Sequence, residues 1–191
     1  MKETRSQKIY KFIFYKLLGW HIRGVVPYDV KKYLFIGIPH TSNWDFLYAW
    51  LAIKALGLDV KIFVKDAFFV WPLTYACRFF GVAPVNRRES TNFVDSIARQ
   101  FNETDRLAAV ITPEGTRQYQ KKLKSGYYYL AKKSNASIVL AGPDYATKSF
   151  MLVKARPPMD TFEEDAANLE AFSKTMTAYY PERTFKHDSK S

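Results

Sequence analysis

Residues 33–45 read Tyr33-Leu34-Phe35-Ile36-Gly37-Ile38-Pro39-His40-Thr41-Ser42-Asn43-Trp44-Asp45, and an apolar-rich segment, Phe46 to Leu56, follows. An apolar run of β type that stops at a proline, then a segment of helical length, predicts strand, tight turn and helix. His40 then stands at the carboxyl end of a strand, where open α/β sheets place their chemistry. A neutral imidazole there can take a proton from a hydroxyl if an acceptor holds its far nitrogen. Asp45, in the first helical turns, can be that acceptor and fix the tautomer. Alone, a His-x4-Asp pair is a weak signal, and a helix capped by Ser42 or Asn43 beside a bystander His40 accounts for it equally well.

The rest of the chain supplies the context. Its 191 residues, 48% hydrophobic, suit one domain with a full core. A single cysteine, Cys77, excludes a disulfide framework and a cysteine-rich metal site. Lys and Arg number 29 against 18 Asp and Glu, so a net charge of +11 favours anionic partners: phosphate head groups, acidic membranes, an acidic carrier protein or nucleic acid.

No uncharged apolar run reaches the roughly 18 residues that span a bilayer, and no signal-peptide pattern opens the chain. The expected location is the cytoplasmic face of a membrane, peripherally bound. Residues 1–32 carry eight basic and two acidic side chains. On a helix over 5–20, Arg5, Lys8, Lys11 and Lys16 share one arc with Phe12 and Tyr15, opposite Tyr10, Ile13, Phe14 and Leu17. This make-up predicts an amphipathic membrane-interface helix over 1–24. A terminal helix docked on the protein's own core is the alternative. The main domain is expected over 25–185, and a polar tail over 186–191, with fraying beyond Pro181.

Val60 to Lys65 reads as a second strand. The uncharged run Ala67 to Cys77 is too short to cross a membrane, and suits a buried helix or the wall of an alkyl groove. Phe68, Phe69, Trp71 and Tyr75 are the groove candidates. Val82-Ala83-Pro84-Val85-Asn86-Arg87-Arg88 gives a short strand that Pro84 demotes to an edge or irregular position, and it emerges at Arg87 and Arg88, donors suited to a phosphate. A helix over 92–101 and a strand over Leu107 to Ile111 follow.

That strand runs into Thr112-Pro113-Glu114-Gly115-Thr116-Arg117. Gly115 permits close backbone approach or positive φ, Glu114 can pin a neighbouring loop or basic side chain, and Arg117 can reach an anion. From Arg117 to Lys133 there are six basic residues and no acids, interleaved with Tyr119, Tyr127, Tyr128 and Tyr129. Cations beside stacking rings bind single-stranded nucleic acid, although the same composition serves a membrane and no nucleic-acid fold signature accompanies it. Further strands are expected at 137–141 and 149–154, and a helix over 161–180. Strands alternating with helices imply a single α/β domain around a largely parallel or mixed sheet.

Three blocks carry a resemblance: His40-Thr41-Ser42-Asn43-Trp44-Asp45, then Gly81 to Arg87, then Pro113-Glu114-Gly115-Thr116-Arg117. Their order and spacing resemble the glycerolipid acyltransferase family typified by 1-acyl-sn-glycerol-3-phosphate acyltransferase, over about Tyr33 to Pro143. The resemblance implies transfer of a fatty acyl group from a thioester, on coenzyme A or acyl carrier protein, to a lysophospholipid hydroxyl. It makes His40 the general base and Asp45 its orienting partner, and assigns the acceptor and its phosphate to Arg87, Glu114, Gly115, Thr116 and Arg117. Direct transfer without an acyl-enzyme is expected, with no metal and no cofactor beyond the thioester co-substrate. Ile111-Thr112, Ala141-Gly142-Pro143 and Asn86 depart from the family's usual residues and bear on the acceptor. Lysophosphatidic acid is the first expectation, and another lyso-lipid, such as an acylated amino acid, is the second. A non-catalytic basic module binding membrane or nucleic acid is the contrasting class; it gives His40, Asp45 and Glu114 no task, and nucleic acid is not the expected partner.

Overall fold

A computed structural model describes residues 3–65, 82–85 and 93–184. Arg87 and the groove candidates Phe68, Phe69, Trp71 and Tyr75 lie outside the described residues. The strands are β1 (His21–Gly24), β2 (Lys32–Gly37), β3 (Lys61–Lys65), β4 (Val82–Val85), β5 (Leu107–Ile111), β6 (Ser137–Asp144) and β7 (Ser149–Leu152). The helices are α1 (Arg5–Lys11), α2 (Asn43–Leu56), α3 (Phe93–Glu103), α4 (Gly126–Ser134) and α5 (Phe162–Lys174).

The strands form one sheet in the order β1-β7-β6-β2-β5-β3-β4. Every pairing between these strands is parallel except β6 with β7. The sheet is therefore mixed and largely parallel, and β4, with Pro84, is an edge strand, one of the two positions its proline allows.

Both faces of the sheet are buried, as a parallel sheet demands. Successive side chains of a strand point to opposite faces. Leu34 and Ile36 of β2, with Ile138 and Leu140 of β6, pack with Ile97 and Phe101 of α3, Leu130 of α4 and Leu169 of α5. Tyr33 and Phe35, with Val139 and Ala141, pack with Trp50, Leu51 and Ile53 of α2 and with Phe14 and Trp20. Thus α2 lies on one face, and α3, α4 and α5 on the other. The chain leaves β2 toward the first face and leaves the adjacent β5 toward the second, so their carboxyl ends flank a topological switch point.

Several expectations are corrected. The N-terminal segment is not helical to residue 24: after α1 a π-helical turn, Phe12–Leu17, ends near Gly19 at φ 67°, and His21–Gly24 is a strand paired with β7. The wider turn, closed by the Leu18 N–H on the Ile13 carbonyl, breaks the regular helical progression. Phe14 is fully buried and Tyr10 meets Trp50 edge-on, whereas Leu17, expected on the same face, is 70% exposed. The helix expected over 161–180 stops at Lys174, because the Thr177 N–H leaves for the Asp144 carboxylate and the Thr177 carbonyl accepts from Tyr145. Pro181–Arg183 is an ordered 3-10 turn tied to Thr41 and is not frayed. In the basic stretch 117–133, the Tyr127 and Tyr128 rings belong to the core, so they offer no stacking surface.

Candidate active site

The loops after β2 and β5 meet at the switch point. The turn that carries His40 begins with a cis Ile38–Pro39 peptide. The backbone N–H of His40 donates to Glu114 Oε2 at 2.9 Å. Glu114, only 3% exposed, thus pins the neighbouring loop, one of the two tasks open to it from sequence. Burial is the main cause that pushes its carboxyl up to about 8, with Asp45 nearby adding to the rise and the His40 N–H opposing it.

The segment after the turn folds around Asp45. Ser42 is the N-cap of α2, its hydroxyl accepting from the Trp44 N–H at 3.1 Å. Asp45 completes a capping box: its Oδ2 accepts from the N–H groups of Thr41 at 2.6 Å and Ser42 at 2.7 Å. The same Oδ2 stands 3.4 Å from His40 Nδ1, and Oδ1 accepts from the Tyr145 hydroxyl at 2.7 Å. One carboxylate therefore both caps the helix and faces the histidine. A proton on Nδ1 facing Asp45 leaves Nε2 as the basic nitrogen. Burial first, and then the bond to Asp45, raise the Tyr145 hydroxyl well above the ordinary tyrosine range, so it remains a donor.

Two cavities adjoin this constellation. One, of about 680 Å³, is mostly apolar, walled by Phe35, Phe46, Trp50, Ile53, Phe63 and Phe150, with His40 and Asp45 also in its lining. The other, of about 420 Å³, is polar and lined by Thr41, Ser42, Thr116, Arg117, Gln118, Tyr180 and Arg183 among others. Asn43 and Arg117 line both. Two such cavities beside an imidazole can take an amphiphile, its apolar tail in one and its charged head in the other.

Of the residues picked out from sequence, His40, Asp45, Glu114, Thr116 and Arg117 come together here. Gly115 has φ 67°, the second of the two uses open to it from sequence, and its N–H closes the turn on the Thr112 carbonyl at 3.1 Å. Sequence reasoning missed Tyr145, Tyr180 and Arg183. Tyr145 follows the last residue of β6, the neighbour of β2, so the rule that chemistry collects at strand ends points to it. Nothing local marks Tyr180 and Arg183, which arrive through tertiary closure.

The family model described as Acyltransferase matches residues 28–142. No curated protein matches the chain by sequence. Among solved structures, the fold is similar to that of the 1-acyl-sn-glycerophosphate (LPA) acyltransferase PlsC from Thermotoga maritima, with a TM-score of 0.57 at 14% identity, covering 88% of this chain and 77% of that one.

Proposed function

The chain belongs to the acyltransferase family, and from that premise we propose that it moves a fatty acyl group from a thioester to the free hydroxyl of a lysophospholipid, in the first instance lysophosphatidic acid. The observation that carries the reading is His40, held by Glu114 through its N–H and facing Asp45 through Nδ1, in an apolar cavity that shares Asn43 and Arg117 with a polar one.

In this mechanism Nε2 of His40 takes the proton of the acceptor hydroxyl as that oxygen attacks the thioester carbonyl carbon. The tetrahedral intermediate collapses by breaking the carbon–sulfur bond, and the imidazolium returns the proton to the departing thiolate. Asp45 stabilises the imidazolium formed in between. No acyl-enzyme is formed, and the donor is acyl-coenzyme A or acyl carrier protein. Base catalysis contributes roughly 10²- to 10⁴-fold, and alignment of the two substrates supplies much of the rest. The proposed working place is an anionic membrane surface, reached through the exposed apolar side chains of the N-terminal helix, Ile9, Phe12 and Leu17. Among the described residues no helix is long and apolar enough to cross a membrane.

The test is acyl transfer by the purified protein on vesicles, from each donor to a panel of lyso-lipids, with His40→Ala alongside. Product on lysophosphatidic acid that vanishes in the variant is expected. Product confined to another lyso-lipid would move the acceptor, and turnover that survives His40→Ala would overturn the role of the base.

A further inference from the structure

The polar cavity has a wall that none of the sequence blocks supplies. The Tyr180 N–H donates to Thr41 Oγ1 at 3.2 Å, and an N–H of Arg183 donates to the Thr41 carbonyl at 3.3 Å. The C-terminal turn is thereby fastened to the residue that follows His40. The Arg183 guanidinium also lies over the Tyr180 ring, 4.1 Å from its centroid, and its Nε is 3.8 Å from the Glu182 carboxylate. A guanidinium has five N–H donors in a rigid fork, and the bond to Thr41 occupies one of them.

We propose that Arg183 is a headgroup-binding residue that acts with Arg117 to select acceptors bearing a phosphate monoester next to the hydroxyl to be acylated. The inference rests on the lysophospholipid reading above. Among the described residues, two guanidiniums and no carboxylate line this cavity, which matches the charge of about −1.5 to −2 that a phosphate monoester carries near neutrality. The placement matches as well. In lysophosphatidic acid the reacting hydroxyl and the phosphate are on neighbouring carbons, so the phosphate must settle close to the base. Asn43 and Arg117, shared by both cavities, give that adjacency. The ribose 3′-phosphate of acyl-coenzyme A is separated from its thioester by the whole pantetheine arm and does not meet this requirement.

The experiment uses the full chain with Arg183→Gln and Arg183→Lys. The first readout is kcat/KM on lysophosphatidic acid divided by kcat/KM on the matching monoacylglycerol. Loss of the Thr41 bond lowers both equally and cancels in the ratio, whereas loss of a headgroup contact does not. The ratio is expected to fall about tenfold or more in Arg183→Gln, through KM, and by less in Arg183→Lys. The second readout is calorimetric binding of hexanoyl lysophosphatidic acid against hexanoyl monoglyceride without a donor, which needs no turnover. Selective weakening of the phosphate-bearing ligand by about tenfold is expected. An unchanged ratio and affinity would overturn the proposal. So would a raised KM for acyl-coenzyme A that disappears with the dephospho-coenzyme A thioester, since that places Arg183 on the donor. Absence of wild-type turnover on every acceptor would sink the acyl-transfer reading, while the binding titration would still decide on Arg183.

Discussion

The hydroxyl of Tyr145 lies 2.7 Å from Asp45 Oδ1, across a separation of 100 residues, while Oδ2 of the same carboxylate serves two backbone N–H groups and faces His40. Both oxygens are therefore held, and the orientation of the imidazole depends on a residue of the neighbouring strand end. The Tyr145 ring packs edge-on against Trp20, Tyr48 and Tyr179, so Tyr145→Phe removes the hydroxyl and keeps the packing. We expect kcat to fall about tenfold with little change in KM, the loss of one hydrogen bond to a charged group. Steady-state kinetics on both substrates decides it, and a wild-type kcat would show that the backbone donors alone hold Asp45.

Glu114 ties stability to pH. Its folded-state carboxyl keeps a proton up to about 8, whereas in the unfolded chain it titrates near 4.5. Between those values the folded state binds the extra proton, so stability from this source is fully present below about 4.5 and is lost as pH rises through about 8. Glu114→Gln is neutral throughout and retains an oxygen for the His40 N–H. Relative to wild type it should gain up to a few kcal/mol between about pH 5 and about pH 8. Urea unfolding of both proteins across that range measures the gain, and a difference independent of pH would mean that Glu114 ionises at its ordinary value.

Gly142 bears on His40, the proposed base, through the backbone. A Cβ there would lie 2.2 Å from the Ile38 carbonyl oxygen and 3.0 Å from its carbon, and Ile38 is itself bonded to β6 through its N–H on the Ala141 carbonyl. A methyl group must displace the turn that aims His40. Gly142→Ala should cost about 1–3 kcal/mol of stability, as overpacking does. It should also lower kcat tenfold or more, because small misplacements of a catalytic group are expensive. Melting temperature and kcat at wild-type values would show that the turn has room to yield.

What could be read from the sequence was what local signals encode. The strand over Leu107 to Ile111 and the turn and helix around His40 follow from apolar periodicity and from breakers acting within a few residues, and of the edge or irregular position that Pro84 allowed, the edge is found. The link from Glu114 to the His40 loop was within reach, because both stand at the ends of adjacent parallel strands. The π-helical turn at 12–17, the early end of α5 and the anchoring of Arg183 to Thr41 were beyond it. Each is decided by packing or by hydrogen bonds to residues far away in the chain.

The fold dictates how membrane binding by the N-terminal helix must be tested. Removing residues 1–20 would strip Phe14 and Trp20 from the core, so a loss of vesicle binding would be indistinguishable from unfolding. Ile9, Phe12 and Leu17 are 59%, 61% and 70% exposed, and can be changed with little effect on packing. Burying each in a lipid interface is worth roughly 1.5–3 kcal/mol. The triple variant Ile9→Ser, Phe12→Ser, Leu17→Ser should therefore lose at least a hundredfold in partitioning to anionic vesicles, by the estimate of about 1.4 kcal/mol per factor of ten. What binding remains should come from the basic residues and should fall further with salt. Co-sedimentation at two ionic strengths measures both parts, and partitioning that the triple variant leaves unchanged would show that this helix does not enter the interface.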